Sequence, residues 1–484
     1  MKMSGKNICC AVCTFFCVLS VLLLPFSLAA GEKRTPVLTV LQTTDIHGSP
    51  DILKLRTLIE RERRDAGGNV LLIDCGDLVQ GTFECSVDQG AEMFKLLDCC
   101  SYDVFVPGNH DFEYGVDALL RNFRNFRGTV LCANVFFHPD LKDNTSPWKI
   151  FTVNGVRTAV IGCAPEGLER WLHAPFFRKM TVVPVWQGVL RAMREIYKLK
   201  EKPQVVILAV HQGEYSSSQP VSGRDVMQLK DIVRRFPAIN LVLLGHTHTE
   251  ISGKPLGNST WLVQAPKHGS GLARIRIEID PDSRMVKNIS SNLLYTGDLP
   301  PTGSMPDAEK KQYFGDQVIA RVPSAEMTAQ IYASAMADVT GVKGGFCTRY
   351  SLKPWLLSEK KRQQKNGIEL TERELYEFIP FENRVTILSL TASELKKILT
   401  AQEKFGKKQE GSRLVPYGLP ENPDFSGRID VAFTSFAASG GGSRYPELRK
   451  MAMLKSIPRR DLEMTTREIV REYLRKVYPA GLDR

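Results

Sequence analysis

The chain has 484 residues, 43% of them hydrophobic and 24% charged, with a formal net charge of +11. That length suits two to four domains, and the ordinary globular composition excludes a fibrous or largely disordered chain. A basic surface can attract phosphorylated substrates, nucleic acid or anionic lipid. The Lys and Arg are scattered, however, and the one short run, EKKRQQK at 359–365, reads as a solvated face, so nucleic acid is not an expected partner.

Lys2 and Lys6 precede an apolar stretch from Ile8 to Ala30 that ends in Ser27, Ala29 and Ala30. A charged start, an apolar middle and a small-residue exit predict an export signal over 1–30, and hence a periplasmic or secreted protein. The run is long enough to span a bilayer and would anchor the chain in a membrane if left uncleaved. Four of the 11 cysteines (Cys9, Cys10, Cys13, Cys17) fall in it. Of the rest, Cys75, Cys132 and Cys163 sit in apolar strand-like runs and read as small core residues. Cys85 is open to a disulfide with Cys99 or Cys100. No CxxC follows the signal, which argues against a thiolate zinc site.

From 36 to about 280 one pattern recurs. A short β-branched apolar run ends in a small polar cluster, and a helical stretch often follows. VLTVLQTTDIHG leads to Asp45 and His47; NVLLIDCGD to Asp77; YDVFVPGNHD to Asn109 and His110; QVVILAVHQGE to His211; INLVLLGHTH to His246 and His248. Near-continuous Val, Leu and Ile predict strands buried on both faces. DILKLRTLIERERRD and GRDVMQLKDIVRRF show apolar residues at helical spacing. The alternation predicts an α/β fold whose ligand-binding residues collect beyond the C-terminal strand ends, where all five clusters lie. SGLARIRIEID (270–280) alternates as a further strand, and the Pro-, Gly- and charge-rich stretch from 301 to 330 reads as a linker. The expected organisation is a signal at 1–30, a first domain at 31–300, the linker, and a second domain at 331–484.

Five of the eight histidines gather at those strand ends, joined by Asp45, Asp77 and Asn109. Imidazole, carboxylate and amide without thiolate suit Mn, Zn, Fe, Co or Mg. Seven candidate ligands (Asp45, His47, Asp77, Asn109, His211, His246, His248) are too many for one tetrahedral ion. They suit two divalent ions about 3.5 Å apart, a recurring hydrolytic arrangement.

DIHG, GD, GNHD, a lone His after an apolar strand, and GHTH occur in this order, and the chain thereby resembles the calcineurin-like metallophosphoesterases. The longer contexts GDLVQGTFE, PGNHDFEYG and APKHGSGLARIRIEID resemble one branch, the secreted 5′-nucleotidases and UDP-sugar hydrolases. The resemblance covers about 37–300 and resumes at YEFIPFENRVTILSLTASELKKIL and VAFTSFAASGGGSRY. It implies a β-sandwich flanked by helices and a smaller α+β C-terminal substrate domain. It also implies one metal on Asp45, His47, Asp77 and His248 and a second on Asp77, Asn109, His211 and His246, with Asp77 bridging. Position 248 is usually Gln or Asn in the branch and His in the wider superfamily. His110 resembles the family's catalytic histidine. Asp111 and Glu113 are the candidates to orient it, and the branch's spacing of three residues points to Glu113. Gly108 and Gly115 would let the loop turn sharply.

In the C-terminal part, Phe381 and Phe436 match the aromatic pair that sandwiches a nucleobase in the family, and Asn383 matches its polar neighbour. Where the family grips the substrate's charged end with an arginine, this chain has Cys347, with Arg349 two residues on. The third position of its Gly-rich loop, usually Asp, is Gly442. The resemblance implies an exported two-metal phosphohydrolase acting on nucleotide phosphomonoesters. UDP-sugar hydrolysis, cyclic-nucleotide diester hydrolysis and a thiosulfohydrolase-like reaction share the same metal motifs. From another class, the alternative is a surface binding protein with an idle centre, against which the presence of all seven ligands argues.

Overall fold

The N-terminal half is built on two six-stranded sheets of mostly parallel strands, with antiparallel pairing at one side of the first sheet and at both edges of the second. The computed structural model of the chain describes residues 35–214, 227–257, 259–305, 307–322, 328–348, 367–406, 414–441 and 444–480. The expected export signal, Arg349 and Gly442 lie outside the described residues. In the first sheet, β1 (Val37–Thr43), β2 (Leu71–Asp74), β3 (Val104–Phe105) and β4 (Thr129–Val130) run parallel. Here β13 (Gly271–Ile279) pairs antiparallel with β1, and β14 (Val286–Tyr295) with β13. In the second, β7 (Val156–Cys163), β9 (Val205–Val210), β10 (Leu241–Leu243) and β12 (Thr260–Gln264) run parallel. Its antiparallel edges are β6 (Trp148–Val153) and β11 (Ile251–Leu256). A short antiparallel pair, β5 (Val135–Phe137) and β8 (Met180–Val182), stands apart.

Side-chain alternation along the strands assigns the layers. Leu38 and Val40 of β1 share a buried cluster with Val156, Val160, Val205, Ile207, Leu241 and Leu243 of the second sheet, so the sheets pack face to face. Leu41 of the same strand points the other way, against the helix Ile52–Asp65 and the helix Val116–Asn125. Ala159, Ile161 and Cys163 of β7 likewise face the helix Val185–Ile196. Each central strand therefore buries both faces, one in the sandwich and one under helices. Gln42 ties the layers together beside the site. Its amide nitrogen donates to the Leu244 carbonyl at 2.7 Å, and its amide oxygen accepts from the Ala265 N–H at 3.1 Å.

The C-terminal part carries a five-stranded sheet ordered β19-β16-β20-β18-β21: Leu414–Tyr417, Gly344–Thr348, Ile429–Thr434, Arg384–Leu390 and Arg459–Thr465. A separate pair, β15 (Val318–Val322) with β17 (Ile368–Thr371), lies beside it. Residues 301–330, whose composition reads as a linker, hold the helix Ala308–Gly315 and β15. The described residues, all of which follow residue 34, pack as one compact unit. Among the described residues no helix is long and apolar enough to cross a membrane.

None of the seven cysteines after the N-terminal run is in a disulfide, so the pairing considered for Cys85 is not present. The Cys85 thiol accepts the Gln80 N–H at 3.4 Å. Cys99 and Cys100 stand at the far end of the nine-residue helix Ala91–Cys99, which is about 14 Å long. A disulfide needs Cα atoms within about 7 Å.

Candidate active site

Loops beyond the C-terminal ends of β1, β2 and β3 in one sheet and β9 and β10 in the other meet at one edge of the sandwich. They bring all seven candidate ligands together. Asp45, His47, Asp77, His246 and His248 all adopt positive φ, between 53° and 74°. Side-chain-bearing residues rarely sit there, and such strain persists where the surroundings enforce it, often at functional sites.

Two groups of three are close enough to hold a metal ion each: Asp45, His47 and His248, then Asp77, His211 and His246. His47 Nε2 lies 3.0 Å from His248 Nε2, and 4.0 Å from both Asp45 Oδ1 and Asp77 Oδ2. His211 Nε2 lies 3.0 Å from Asp77 Oδ2. Asp77 thus reaches toward both groups. Asn109 Oδ1 lies 2.8 Å from His246 Nδ1, which adds its amide oxygen to the second group.

The donor chemistry fits a cation. His211 Nδ1 donates to the Cys75 carbonyl at 2.6 Å, leaving Nε2 to face Asp77. Burial alone would lower the His211 pKa, but Asp77 and Asp45 push it up to about 10. Without another cation, a proton must sit between that imidazole and the carboxylate; a divalent ion can replace it. His47 and His246 go the other way. Burial holds them at about 3 and about 4, as neutral imidazoles with lone pairs available.

The loop after β3 sorts its two carboxylates. Asp111 accepts four backbone N–H groups, from Gly108, Asp77, Leu78 and Val79, at 2.7–3.2 Å. It holds the loop against the β2 turn. Glu113 instead meets His110, with Oε2 2.9 Å from Nδ1. Gly108 is required for close approach rather than for turning: an added Cβ would fall 2.2 Å from Asp77 Oδ1. Gly115 does turn, at φ 92°.

A cavity of about 410 Å³ opens over the centre, and Asp77, Asn109, His110, His246 and His248 line its floor. Phe381 and Phe436 line its wall, so both aromatics face the same space. The Phe381 ring stacks near His110, with centroids 5.8 Å apart and planes 23° from parallel. Asn383 also lines the cavity, and its Oδ1 accepts the Phe436 N–H at 3.2 Å, bracing one aromatic loop on the other. Cys347 is fully buried in the core of the C-terminal part.

Sequence reasoning did not single out Trp171, His173, Glu382 and Arg444, which also line the cavity. Trp171 packs its edge on His246 at 5.2 Å. His173 is 3% exposed, and neither of its ring nitrogens has a hydrogen-bond partner. Burial lowers its pKa to about 4, so it is a neutral imidazole facing the cavity. Trp171 and His173 come from the irregular segment between β7 and β8, Glu382 from the loop beside Phe381, and Arg444 from the loop after Phe436, where no periodicity marks them.

Residues 38–250 match the family model for calcineurin-like phosphoesterases. The protein UshA of Escherichia coli (strain K12) is 23% identical over 308 residues, covering 57% of this chain and 55% of its own length. A 5′-nucleotidase of Vibrio cholerae is 26% identical over 275 residues, covering 51% and 49%. The chain thus spans about half the length of the curated relatives it matches. A crystal structure of a candidate 5′-nucleotidase from Staphylococcus aureus, in complex with alpha-ketoglutarate, superposes with a TM-score of 0.72 at 17% identity. It covers 93% of this chain and 98% of that one, a likeness of fold alone. Over residues 38–250 the chain is similar to the calcineurin-like phosphoesterases. Within them, the relatives it matches are of the UshA and 5′-nucleotidase kind.

Proposed function

We propose that the protein is an exported two-metal phosphohydrolase whose preferred substrates are nucleotide phosphomonoesters. The carrying observation is geometric. Two metal-competent groups share one cavity floor, the His110–Glu113 pair stands beside them, and two aromatic side chains face them from the C-terminal part. In this reading Asp45, His47, Asp77 and His248 hold one divalent ion and Asp77, Asn109, His211 and His246 a second. Bound there, such ions neutralise phosphoryl oxygens and lower the pKa of water.

The chain's own residues do the rest. Asp111 fixes the loop that carries Asn109 and His110. Glu113 keeps the proton on His110 Nδ1, so the imidazolium presents Nε2–H to the leaving alkoxide. Phe381 and Phe436 hold a flat base between them, and Asn383 sets their spacing. In this organisation 31–300 supplies the chemistry, 331–484 the substrate grip, and 1–30 the export signal.

The test is phosphate release by purified mature protein with added Mn²⁺, using AMP, deoxy-AMP, UDP-glucose, a cyclic nucleotide and simple sugar phosphates. AMP hydrolysis above the others supports the reading. Absence of turnover on the whole panel would leave a binding protein with an idle centre. With Gly442 where the branch has an acid, AMP is expected to exceed deoxy-AMP only modestly.

A further inference from the structure

Gln80 follows β2 in the stretch GDLVQGT, is buried, and sits at φ 91°. That backbone region is unfavourable for a side-chain-bearing residue, so its neighbours must hold it there. Its amide has two partners. Nε2 donates to the Pro380 carbonyl at 2.9 Å, and Oε1 faces His47 Nδ1 at 3.1 Å.

The chemistry of these partners leaves one arrangement. A carbonyl only accepts, so the amide nitrogen must meet Pro380 and the amide oxygen must meet His47. An amide oxygen also only accepts, so His47 Nδ1 must carry the proton. That places the lone pair on Nε2, the nitrogen facing His248, Asp45 and Asp77. Pro380 begins the loop 380–383, which also carries Phe381 into the cavity. The same loop donates the Glu382 N–H to Glu113. It is thus hydrogen-bonded to a partner of His47 on one side and to the partner of His110 on the other.

We infer that Gln80 is a positioning residue through which the Pro380 carbonyl fixes the tautomer of His47, so that seating of the aromatic loop and readiness of the metal group are coupled. The inference rests on the proposed reading of His47 as a metal ligand. The partners of metal-bound imidazoles set ring orientation and basicity in this way. Here the outer partner belongs to a segment about 300 residues away in sequence, the one that faces the substrate.

Two substitutions in the full-length mature protein separate the two contacts. Gln80→Leu removes both, and Mn²⁺ affinity, measured by chelator competition without substrate, should weaken about 10–100-fold. Gln80→Glu keeps an acceptor for His47 but sets a carboxylate against the Pro380 carbonyl. Mn²⁺ affinity should then stay within about threefold of the parent, while KM for 4-nitrophenyl phosphate rises about fivefold to tenfold, as for one lost hydrogen bond. Parent-like affinity in Gln80→Leu, equal losses in both variants, or an unchanged KM in Gln80→Glu would overturn the inference. If Gln80→Leu does not fold, the Gln80→Glu arm still decides it. The affinity arm needs no turnover, so it stands even if the parent hydrolyses nothing. Normal hydrolysis with insensitive Gln80 variants would sink this inference and leave the proposed function intact.

Discussion

The Glu113 carboxylate meets the His110 imidazole at 2.9 Å through Nδ1, and its second oxygen accepts the Glu382 N–H from the aromatic loop. Burial alone would lower the His110 pKa. Asp77 and Glu113 outweigh it and raise the pKa to about 9. The ring is therefore a cation at neutral pH, as a proton donor to a leaving alkoxide must be. His110→Asn should lower kcat about 10²–10⁴-fold while metal content holds. The loss should be smaller for nitrophenyl than for alkyl phosphates, because a good leaving group needs little protonation; equal losses would remove the role. The active form is present below the raised pKa and disappears as pH climbs through about 9. In Glu113→Gln that alkaline limb should move to lower pH.

Asp77 Oδ2 stands 3.0 Å from His211 Nε2 and 4.0 Å from His47 Nε2, one from each metal-competent group. Its side chain also accepts the His110 N–H at 2.8 Å. Asp77→Ala should therefore empty both groups and abolish nearly all turnover. Metal analysis finding two ions per chain with parent rates would refute the shared-carboxylate assignment.

Proton competition follows from the same geometry. His211, with its pKa near 10, must release a proton to bind a cation, while His47 and His246 are already neutral. Mn²⁺ affinity should weaken with acidity by about tenfold per pH unit across pH 6.5–8.5, the slope for one proton released per ion bound. A flat profile would mean that His211 does not ligate.

Phe436 and Phe381 offer aromatic faces to one cavity. Aromatic pairs contribute about 0.5–1.5 kcal/mol beyond area burial. Phe436→Ala should raise KM for AMP by about tenfold and leave a simple sugar phosphate within about twofold, since only the former has a base to stack. Parallel changes for both substrates would show that Phe436 supports the fold rather than the base.

The metal groups were legible because the chemistry is carried by residue types that rarely cluster: five histidines placed after apolar runs. That those runs belong to two sheets was not. Each central strand, such as β1, buries both faces, and such a run reads the same in one sheet or in two. Cys85 was open to pairing only because sequence spacing does not reveal which way its thiol turns. Trp171 and His173 lie in an irregular segment seated by a contact distant in sequence, the Ser439 hydroxyl on the Leu172 carbonyl at 2.8 Å. Asp111 and Glu113 are two residues apart and chemically alike; the family spacing favoured Glu113, and the hydrogen bonds separate the backbone acceptor from the partner of His110.

The charge-rich stretch 301–330 includes Lys311, which lies on the helix Ala308–Gly315. The residue is 5% exposed, and its ammonium donates to the Glu84 carbonyl and Asp88 Oδ2, each at 2.8 Å, and to Glu92. All three N–H groups are used, and they fasten the helix Ala308–Gly315 onto the helices Phe83–Val87 and Ala91–Cys99. Lys311→Met keeps most of the volume and deletes the charge, leaving Glu92 buried without its cation. Breaking a buried pair from one side costs about 3–5 kcal/mol, whereas replacing both partners with apolar groups is often near neutral. Lys311→Met should therefore lower the urea midpoint clearly, and adding Glu92→Leu should recover much of the loss. A single variant that shifts stability by less than about 0.5 kcal/mol, the range of ordinary surface changes, would show that this clasp does not hold the segment in place.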